Sequence, residues 1–405
     1  MASLNLPGIG SAIEQRIASV DGETLTPIVR TVLDDGTATV AEWHRTPLHC
    51  GAGGGYFGTA LFRFEGTAAT RSGRSDWSVV LKVLAHRPGE APSGHPYWKR
   101  EAEAYRSDLL EDVEGPLVPA ELYDVDEFPG EAVWLWLADL TDEYDDDWPL
   151  EQYRRAARHL GQFNGGYIGE TDRIEEPWVV ERTFDFGTTA GVVALVDQVP
   201  DDPIVRRQFP TAEDRERLLA AWQARERFVD ARETVPRTFC HFDAFGRNLF
   251  ATSTADGTLR TVAIDWDQCG LARVGDDAGA LVLLTLMFFD WPIDRADELE
   301  RAVLDGYREG LADVGWDGPA AVVSRGYRLH VVNRWLEWVG ALRVYLDDGL
   351  HDWVADLVDR PFEDVLAGNR ELHRYVFDTI DELELGETPS VLPDDGAPNR
   401  LKRGY

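Results

Sequence analysis

The sequence predicts an α+β protein of two lobes, a small strand-rich first part and a larger, mostly helical remainder, with a cleft between them. Three observations carry this. Up to about residue 138, short apolar runs are separated by glycine and aspartate turns; from Leu150 onward apolar residues recur at helical spacing; and one strand pair, turning at Asp256-Gly257, interrupts the helical part. At 405 residues the chain is long enough for two such parts, each with its own core.

In chain order, Ile13, Ile17 and Val20 suggest a short helix, and 26–33 and 38–48 read as strands joined by an Asp34-Asp35-Gly36 turn. A glycine-rich stretch follows, with Gly53, Gly54 and Gly55 at its centre, and leads into an alternating strand (Leu61, Phe62, Phe64). Such loops let backbone N–H groups approach phosphates, although a surface turn would look the same and the spacing fits neither the Walker pattern nor G-x-G-x-x-G. The next strand, Trp77 to Leu84, carries Lys82 in an apolar run, and a helix expected at 97–110 offers Glu101 or Glu103 to it. Strands at 120–126 and 131–138 end in an acidic connection holding Asp139, Asp142, Glu143, Asp145, Asp146 and Asp147, either a solvated link or a hinge that recruits a cation.

Helices are expected over 150–163 and 213–229, with an irregular insertion at 170–210 between them. Beyond the strand pair, helices are expected at 277–289, 294–311, 318–348 and 360–381. The stripe Trp335, Trp338, Val339, Leu342 and Tyr345 reads as core, and the proline-containing last residues as a mobile tail.

The formal net charge of −33 argues against binding nucleic acid through its phosphates. The longest apolar run, Gly279 to Phe289, is too short to cross a bilayer, the first residues lack a signal-peptide pattern, and Cys50, Cys240 and Cys269 read as reduced thiols, so a cytoplasmic protein is expected. Lys82, Lys99 and Lys402 are the only lysines among 40 basic residues. A chain that so strongly prefers arginine has a reason to keep a compact ammonium inside a strand, and binding phosphate is one; the alternative is a lysine snorkelling from an edge strand.

The richest stretch runs from Phe239 to Asp267. Asp243 and Asn248 stand five apart in a non-periodic loop, a strand begins at Leu249, and the strand Thr261–Ile264 returns to Asp265. The hairpin therefore brings two carboxylates and an amide oxygen to one mouth, as a magnesium ion beside a catalytic base requires. The bland alternative is a hydrogen-bonded turn with Asp265 as a helix N-cap.

His241-Phe-Asp243-Ala-Phe-Gly-Arg-Asn248, followed by Ile264-Asp265-Trp266-Asp267, resembles the catalytic and metal-binding motifs of the aminoglycoside phosphotransferase and choline kinase family. The resemblance spans about residues 45–345 and implies a two-lobed protein-kinase-like fold, with an N-lobe at 1–138, a C-lobe at 139–388 and a tail at 389–405. It implies Asp243 as the base that takes the acceptor proton, His241 as a structural residue of the catalytic loop, and Asn248 and Asp265 as Mg²⁺ ligands on the ATP phosphates. It further implies Lys82 on the α- and β-phosphates with Glu101 as its partner, the glycines at 53–55 over the phosphates, and a hinge backbone from Trp136 to Asp139, Leu137 included, on adenine. Asp277, or Asp276 beside it, would brace the catalytic loop.

Phe242 stands where many members carry Gly, and Ala244 where Leu is common. Trp266-Asp267 replaces the Phe-Gly of protein kinases and no Ala-Pro-Glu follows, which points to a small-molecule kinase. The expected function is ATP- and Mg²⁺-dependent phosphorylation of a hydroxyl on a small polar acceptor, such as an aminoglycoside, an amino sugar or a choline-like amine. No nucleic-acid or membrane partner is expected, and the oligomeric state is left open. Glu337, Asp347, Asp348 and Asp352 are candidates to hold an amine. A kinase-like nucleotide-binding protein without catalysis is the alternative, and AMP transfer a third reading.

Overall fold

The computed structural model describes residues 10–48 and 59–383, apart from positions 112, 114, 146 and 255. Helix α1 (Ser11–Ala18) and helix α2 (Gly22–Val32) come first. The second of these replaces the strand expected at 26–33. Leu25, Ile28 and Val29 are buried at helical spacing, and Asp21 Oδ1 caps the helix by accepting from the N–H groups of Glu23 (3.1 Å) and Thr24 (2.9 Å). The β-branched residues here favour a strand only weakly, and the cap and apolar stripe outweigh them.

Strands β1 (Thr39–Leu48), β2 (Thr59–Thr70) and β3 (Gly73–Ala85) follow, then α3 (Arg100–Arg106), β4 (Leu117–Pro119), β5 (Leu122–Phe128) and β6 (Ala132–Ala138). Five of these strands form an antiparallel sheet in the order β1-β2-β3-β6-β5, so β3 is central. Along β3, Val79, Leu81 and Val83 point to a core shared with α1 and α2. Lys82 and Leu84 alternate to the other face, where Leu84, Leu135 and Leu137 pack with Ala102 of α3. Lys82 is thus no edge-strand lysine. The fourth strand leaves this sheet and pairs in parallel with the later hairpin, Leu117 opposite Thr261, tying the first third of the chain to the helical part.

That part comprises α4 (Leu150–Tyr167), α5 (Gly187–Gln198), α6 (Pro203–Gln208), α7 (Ala212–Arg232), β7 (Arg237–Cys240), β8 (Leu249–Ser253), β9 (Leu259–Ala263), β10 (Gly270–Arg273), α8 (Asp276–Met287), α9 (Ala296–Asp313), α10 (Ala320–Val339), α11 (Leu342–Tyr345), α12 (His351–Leu357) and α13 (Phe362–Asp381). The insertion expected to be irregular holds two helices, one capped by Asp202. The single helix expected at 318–348 breaks after Val339, and the Trp335, Val339, Leu342 and Tyr345 stripe is core. Leu160, Phe163, Trp266, Leu281, Tyr307 and Trp335 are buried in that one core. At Gly326 a Cβ would lie 1.9 Å from the Val274 carbonyl oxygen, so only glycine lets α10 lie directly on the turn before α8. No helix among the described residues is long and apolar enough to cross a membrane.

Candidate active site

Two strand pairs fix the ends of the central stretch. Cys240 pairs with Gly270 in β7 and β10, and Leu249 pairs with Ala263 in β8 and β9. The loop 241–248 and the segment 264–269 are therefore held side by side at both ends. The expected turn closes the hairpin, with Gly257 at φ 82°. His241 links the two segments: its Nε2 donates to the Ile264 carbonyl (2.8 Å) and its Nδ1 accepts from the Asp243 N–H (3.3 Å). One neutral tautomer satisfies both contacts, and burial holds the imidazole below its usual pKa.

Asp277 braces the loop from behind. Its Oδ1 accepts from Phe242 N (2.7 Å), and its Oδ2 from His241 N (3.1 Å) and Asn164 Nδ2 (2.9 Å). Asp276 instead pairs with Arg232 (2.6 Å) and His330 (3.3 Å), so of the two it is Asp277 that touches the loop. Phe242 takes φ 68°, a region bulky residues avoid. Its fully buried ring packs between Phe184 (5.5 Å) and His330 (5.2 Å), under the Arg182 guanidinium. That packing offsets backbone strain of about 1–3 kcal/mol.

Lys82 joins the lobes. Its Nζ lies 2.5 Å from Glu101 Oε2 and 2.7 Å from Asp265 Oδ1, with Lys82 and Glu101 both buried. Burial opposes the ammonium, but the carboxylates of Asp265, Glu101 and Asp267 hold its pKa well above the usual value. Burial raises the Glu101 carboxyl, whereas at Asp265 the Lys82 charge overcomes burial and lowers it. Glu103 turns away to Lys99 (3.2 Å), which settles the choice on α3. Asp265 occupies an N-cap position with left-handed backbone (φ 62°), yet its side chain makes no cap bond. The carboxylate serves Lys82 instead, and the N-cap alternative fails.

Asp243 is bound at both oxygens. Asn248 Nδ2 donates to Oδ2 (2.9 Å) and to the Asp243 carbonyl (2.9 Å), and Arg334 Nη2 donates to Oδ1 (2.8 Å). Burial pushes this carboxyl up, Arg334 works against that, and Asp265 lies close enough to add to the rise.

Residues 184–322, which contain the loop, the hairpin and α8, match the model of the Phosphotransferase enzyme family (APH). The match covers about a third of the chain and marks this segment as similar to the phosphotransferase family. Among solved structures it is similar to an aminoglycoside phosphotransferase from Alicyclobacillus acidocaldarius, at 13% identity and TM-score 0.50 over 87% of this chain and 95% of that one. It is also similar to a microcompartment-associated aminopropanol kinase (16% identity, TM-score 0.49, 89% and 99% covered) and to an amicoumacin kinase in complex with AMP-PNP, Ca²⁺ and Ami (14%, 0.47, 87% and 95%). None of the curated proteins is a significant match. The two-lobed kinase-like fold read from the sequence is that of the Alicyclobacillus structure, and the family read from the motifs is the one whose model matches residues 184–322.

Other residues expected at the site fall outside the described residues or elsewhere, and some at the site were not foreseen. Gly53, Gly54 and Gly55 lie outside the described residues. Leu137 is buried in β6, and Asp139 just beyond it forms a two-pronged pair with Arg63 of β2 (2.8 and 2.9 Å). Of the acidic connection, Asp142 binds Tyr144 N, Trp148 Nε1 and Ala251 N, which fastens the link to β8. Asp347 caps its own turn and Asp348 and Asp352 are exposed; only Glu337 reaches the site, through Arg334 (3.1 Å). Sequence reasoning missed Arg334 and Asn164. Asn164 is a buried polar residue beside Leu160 and Tyr167 on α4, a signal like that of Lys82, whereas Arg334 shares its face with His330 and Glu337 and gave no such signal.

A magnesium ion fits the oxygens present. Asn248 commits its Nδ2 to Asp243, which leaves its Oδ1 free to bind a cation, and Asp265 has Oδ2 besides the oxygen on Lys82. Among the described residues no group of three His, Cys, Asp or Glu could hold a metal alone. Burial and the neighbouring Asp265 carboxylate push Asp267 up to about 8, a sign of negative charge that Lys82 does not offset.

Proposed function

We propose that this protein is an ATP- and Mg²⁺-dependent kinase that phosphorylates a hydroxyl of a small polar molecule. The observation that carries the reading is Lys82, ion-paired at once to Glu101 on α3 and Asp265 at the hairpin mouth. The pairing supports reading Lys82 as the phosphate-binding ammonium, because it sets a charge from the sheet in direct contact with Asp265, one of the two residues suited to hold metal.

The chain's own residues then divide the work. The N-lobe, 1–138, holds the donor: Lys82 steadies the α- and β-phosphates, Glu101 orients Lys82, and the backbone from Trp136 to Asp139 meets adenine. Ala138 lies three residues along β6 from Leu135, the cross-strand partner of Lys82, or about 10 Å away. Within the C-lobe, 139–388, Asn248 and Asp265 would hold Mg²⁺, which supplies charge neutralisation at the β- and γ-phosphates. The acceptor hydroxyl donates a hydrogen bond to Asp243, its oxygen attacks the γ-phosphorus in line, its proton passes to the Asp243 carboxylate, and ADP leaves. Phosphoryl transfer needs positioning and charge more than a strong base, so these residues suffice. His241 and Asp277 keep the loop in place for this step. A reaction fed by ATP belongs in the cytoplasm, where the buried free thiols Cys240 and Cys269 stay reduced.

Amine-bearing alcohols are the first acceptors to test: aminoglycosides, amino sugars, amino alcohols and choline-like compounds, beside neutral sugars, with ATP and GTP as donors. Transfer to one class by the wild type, abolished in Asp243→Ala with nucleotide binding intact, supports the reading. Tight ATP binding with no transfer to any acceptor would instead establish a nucleotide-binding protein, and pyrophosphate release an AMP transferase.

A further inference from the structure

We propose that Arg334 on α10 is the positioning residue for Asp243, held in place by Glu337 and the start of α5. The inference rests on the reading of Asp243 as the base. A carboxylate turns about its Cβ–Cγ bond unless both oxygens are held. Asn248 holds Oδ2 at 2.9 Å, and Arg334 Nη2 holds Oδ1 at 2.8 Å. Each oxygen keeps a further lone pair, so the acceptor hydroxyl can still bond to the fixed carboxylate. Asp243 and Arg334 side chains are 21% and 20% exposed, so the pair is reached from the cleft.

Arg334 is itself anchored. Its Nη1 donates to Glu337 Oε2 (3.1 Å), and the other Glu337 oxygen accepts from Asp185 N (2.9 Å). The next helix, α5, sends the Thr189 hydroxyl to the last carbonyls of α10, Leu336 (2.8 Å) and Glu337 (3.1 Å). A side chain at Gly340 would collide with the Thr188 hydroxyl, so the contact is close-packed. An arm of hydrogen bonds therefore runs from the Asp185 N–H, just before α5, through Glu337 and Arg334 to the base. Its guanidinium has the geometry for two partners at once, which a lysine ammonium matches poorly.

The test compares wild type, Arg334→Ala, Arg334→Lys and Glu337→Gln in steady-state transfer to the acceptor found by screening. Each is measured with and without added guanidinium at a non-denaturing level. A base set loose costs about 100-fold in kcat while leaving donor binding alone. Arg334→Ala is expected to lose that much with KM for ATP unchanged, Arg334→Lys to keep more, and guanidinium to restore part of the alanine variant's kcat. Glu337→Gln, which keeps a hydrogen bond to Arg334, should lose less than about tenfold. Wild-type kcat in Arg334→Ala overturns the proposal, as does a loss confined to KM for the acceptor, which would make Arg334 a substrate contact. Loss of ATP binding and thermal stability with no rescue would show a structural role and overturn it too. A wild type that transfers no phosphate overturns the kinase reading itself and this inference with it.

Discussion

Lys82→Met isolates the joint between the lobes. The substitution fills similar space but removes the charge 2.5 Å from Glu101 and 2.7 Å from Asp265. Asp265, with a 41% exposed side chain, reaches water; Glu101, at 1%, does not. Stranding one partner of a buried pair costs about 3–5 kcal/mol. Glu101 limits the loss by taking a proton, since burial already holds its carboxyl above the usual value. About 3 kcal/mol is therefore expected near neutral pH. Adding Glu101→Gln removes the stranded charge and should recover about 2 kcal/mol, read as the coupling in a double-mutant cycle of urea unfolding. Neither variant should transfer phosphate. A carboxyl whose folded pKa is raised contributes stability at low pH that is lost as pH rises from its unfolded pKa through its folded one. The Lys82→Met deficit should thus grow as pH rises above the usual glutamate range and flatten in the double variant. A double variant as unstable as Lys82→Met, or a deficit independent of pH, would refute the account of this pair.

Three further outcomes test the surroundings. Asp277→Asn takes an acceptor from buried N–H groups of His241 and Phe242 and should cost about 2–3 kcal/mol in denaturant unfolding, with kcat falling more than KM. At position 242, φ 68° makes glycine better than alanine, so Phe242→Gly should be about 1 kcal/mol more stable than Phe242→Ala; the reverse order would deny the strain. Burial lowers the pKa of His373 to about 3, and the ring accepts from Trp335 Nε1 (2.9 Å) and donates to Gln208 Oε1 (3.0 Å). Its stability contribution is present above the unfolded pKa and lost as pH falls towards the folded one. The wild-type advantage over His373→Gln should shrink by about 2 kcal/mol between pH 6.5 and 5 in pH-dependent urea titrations.

What could be read from the sequence was what local pattern encodes. The Asp256-Gly257 turn and the short strands around it fix the hairpin, and the hairpin brings Asp265 back beside the 241–248 loop. Lys82 was visible because a charge in an apolar strand of a chain with three lysines stands out, and its central place in the sheet removes the snorkelling alternative. The strand expected at 26–33 failed because an Asp21 cap, outside the window of β-branched residues, decides the helix. Helices α5 and α6 were hidden by the prolines, glycines and acids around them, and their anchors are distant: Thr189 on α10, and Gln208 on the Leu366 carbonyl of α13. Choosing Glu101 over Glu103 required the turn of α3 against the sheet, which spacing left open.

The same distinction separates the two halves of the site. In the proposed donor half each element follows from a short pattern, Lys82 on a central strand, Glu101 on the helix after it and Asp265 at the end of a hairpin, although the pair of Lys82 and Asp265 itself spans 183 positions. The proposed acceptor half has no such local pattern. Arg334 reaches Asp243 across 91 positions, Glu337 reaches Asp185 across 152, and Thr189 fixes Leu336 across 147. Those contacts depend on how α10 lies against the turn before α8 and against α5, which is a matter of packing rather than periodicity. A change on α5 or α10 can therefore reshape the acceptor side while Lys82, Glu101 and Asp265 stay as they are. Substitutions at Thr189 should accordingly alter acceptor selectivity and kcat without altering affinity for the nucleotide, and nucleotide affinity that moved with them would show that the two halves are not separable.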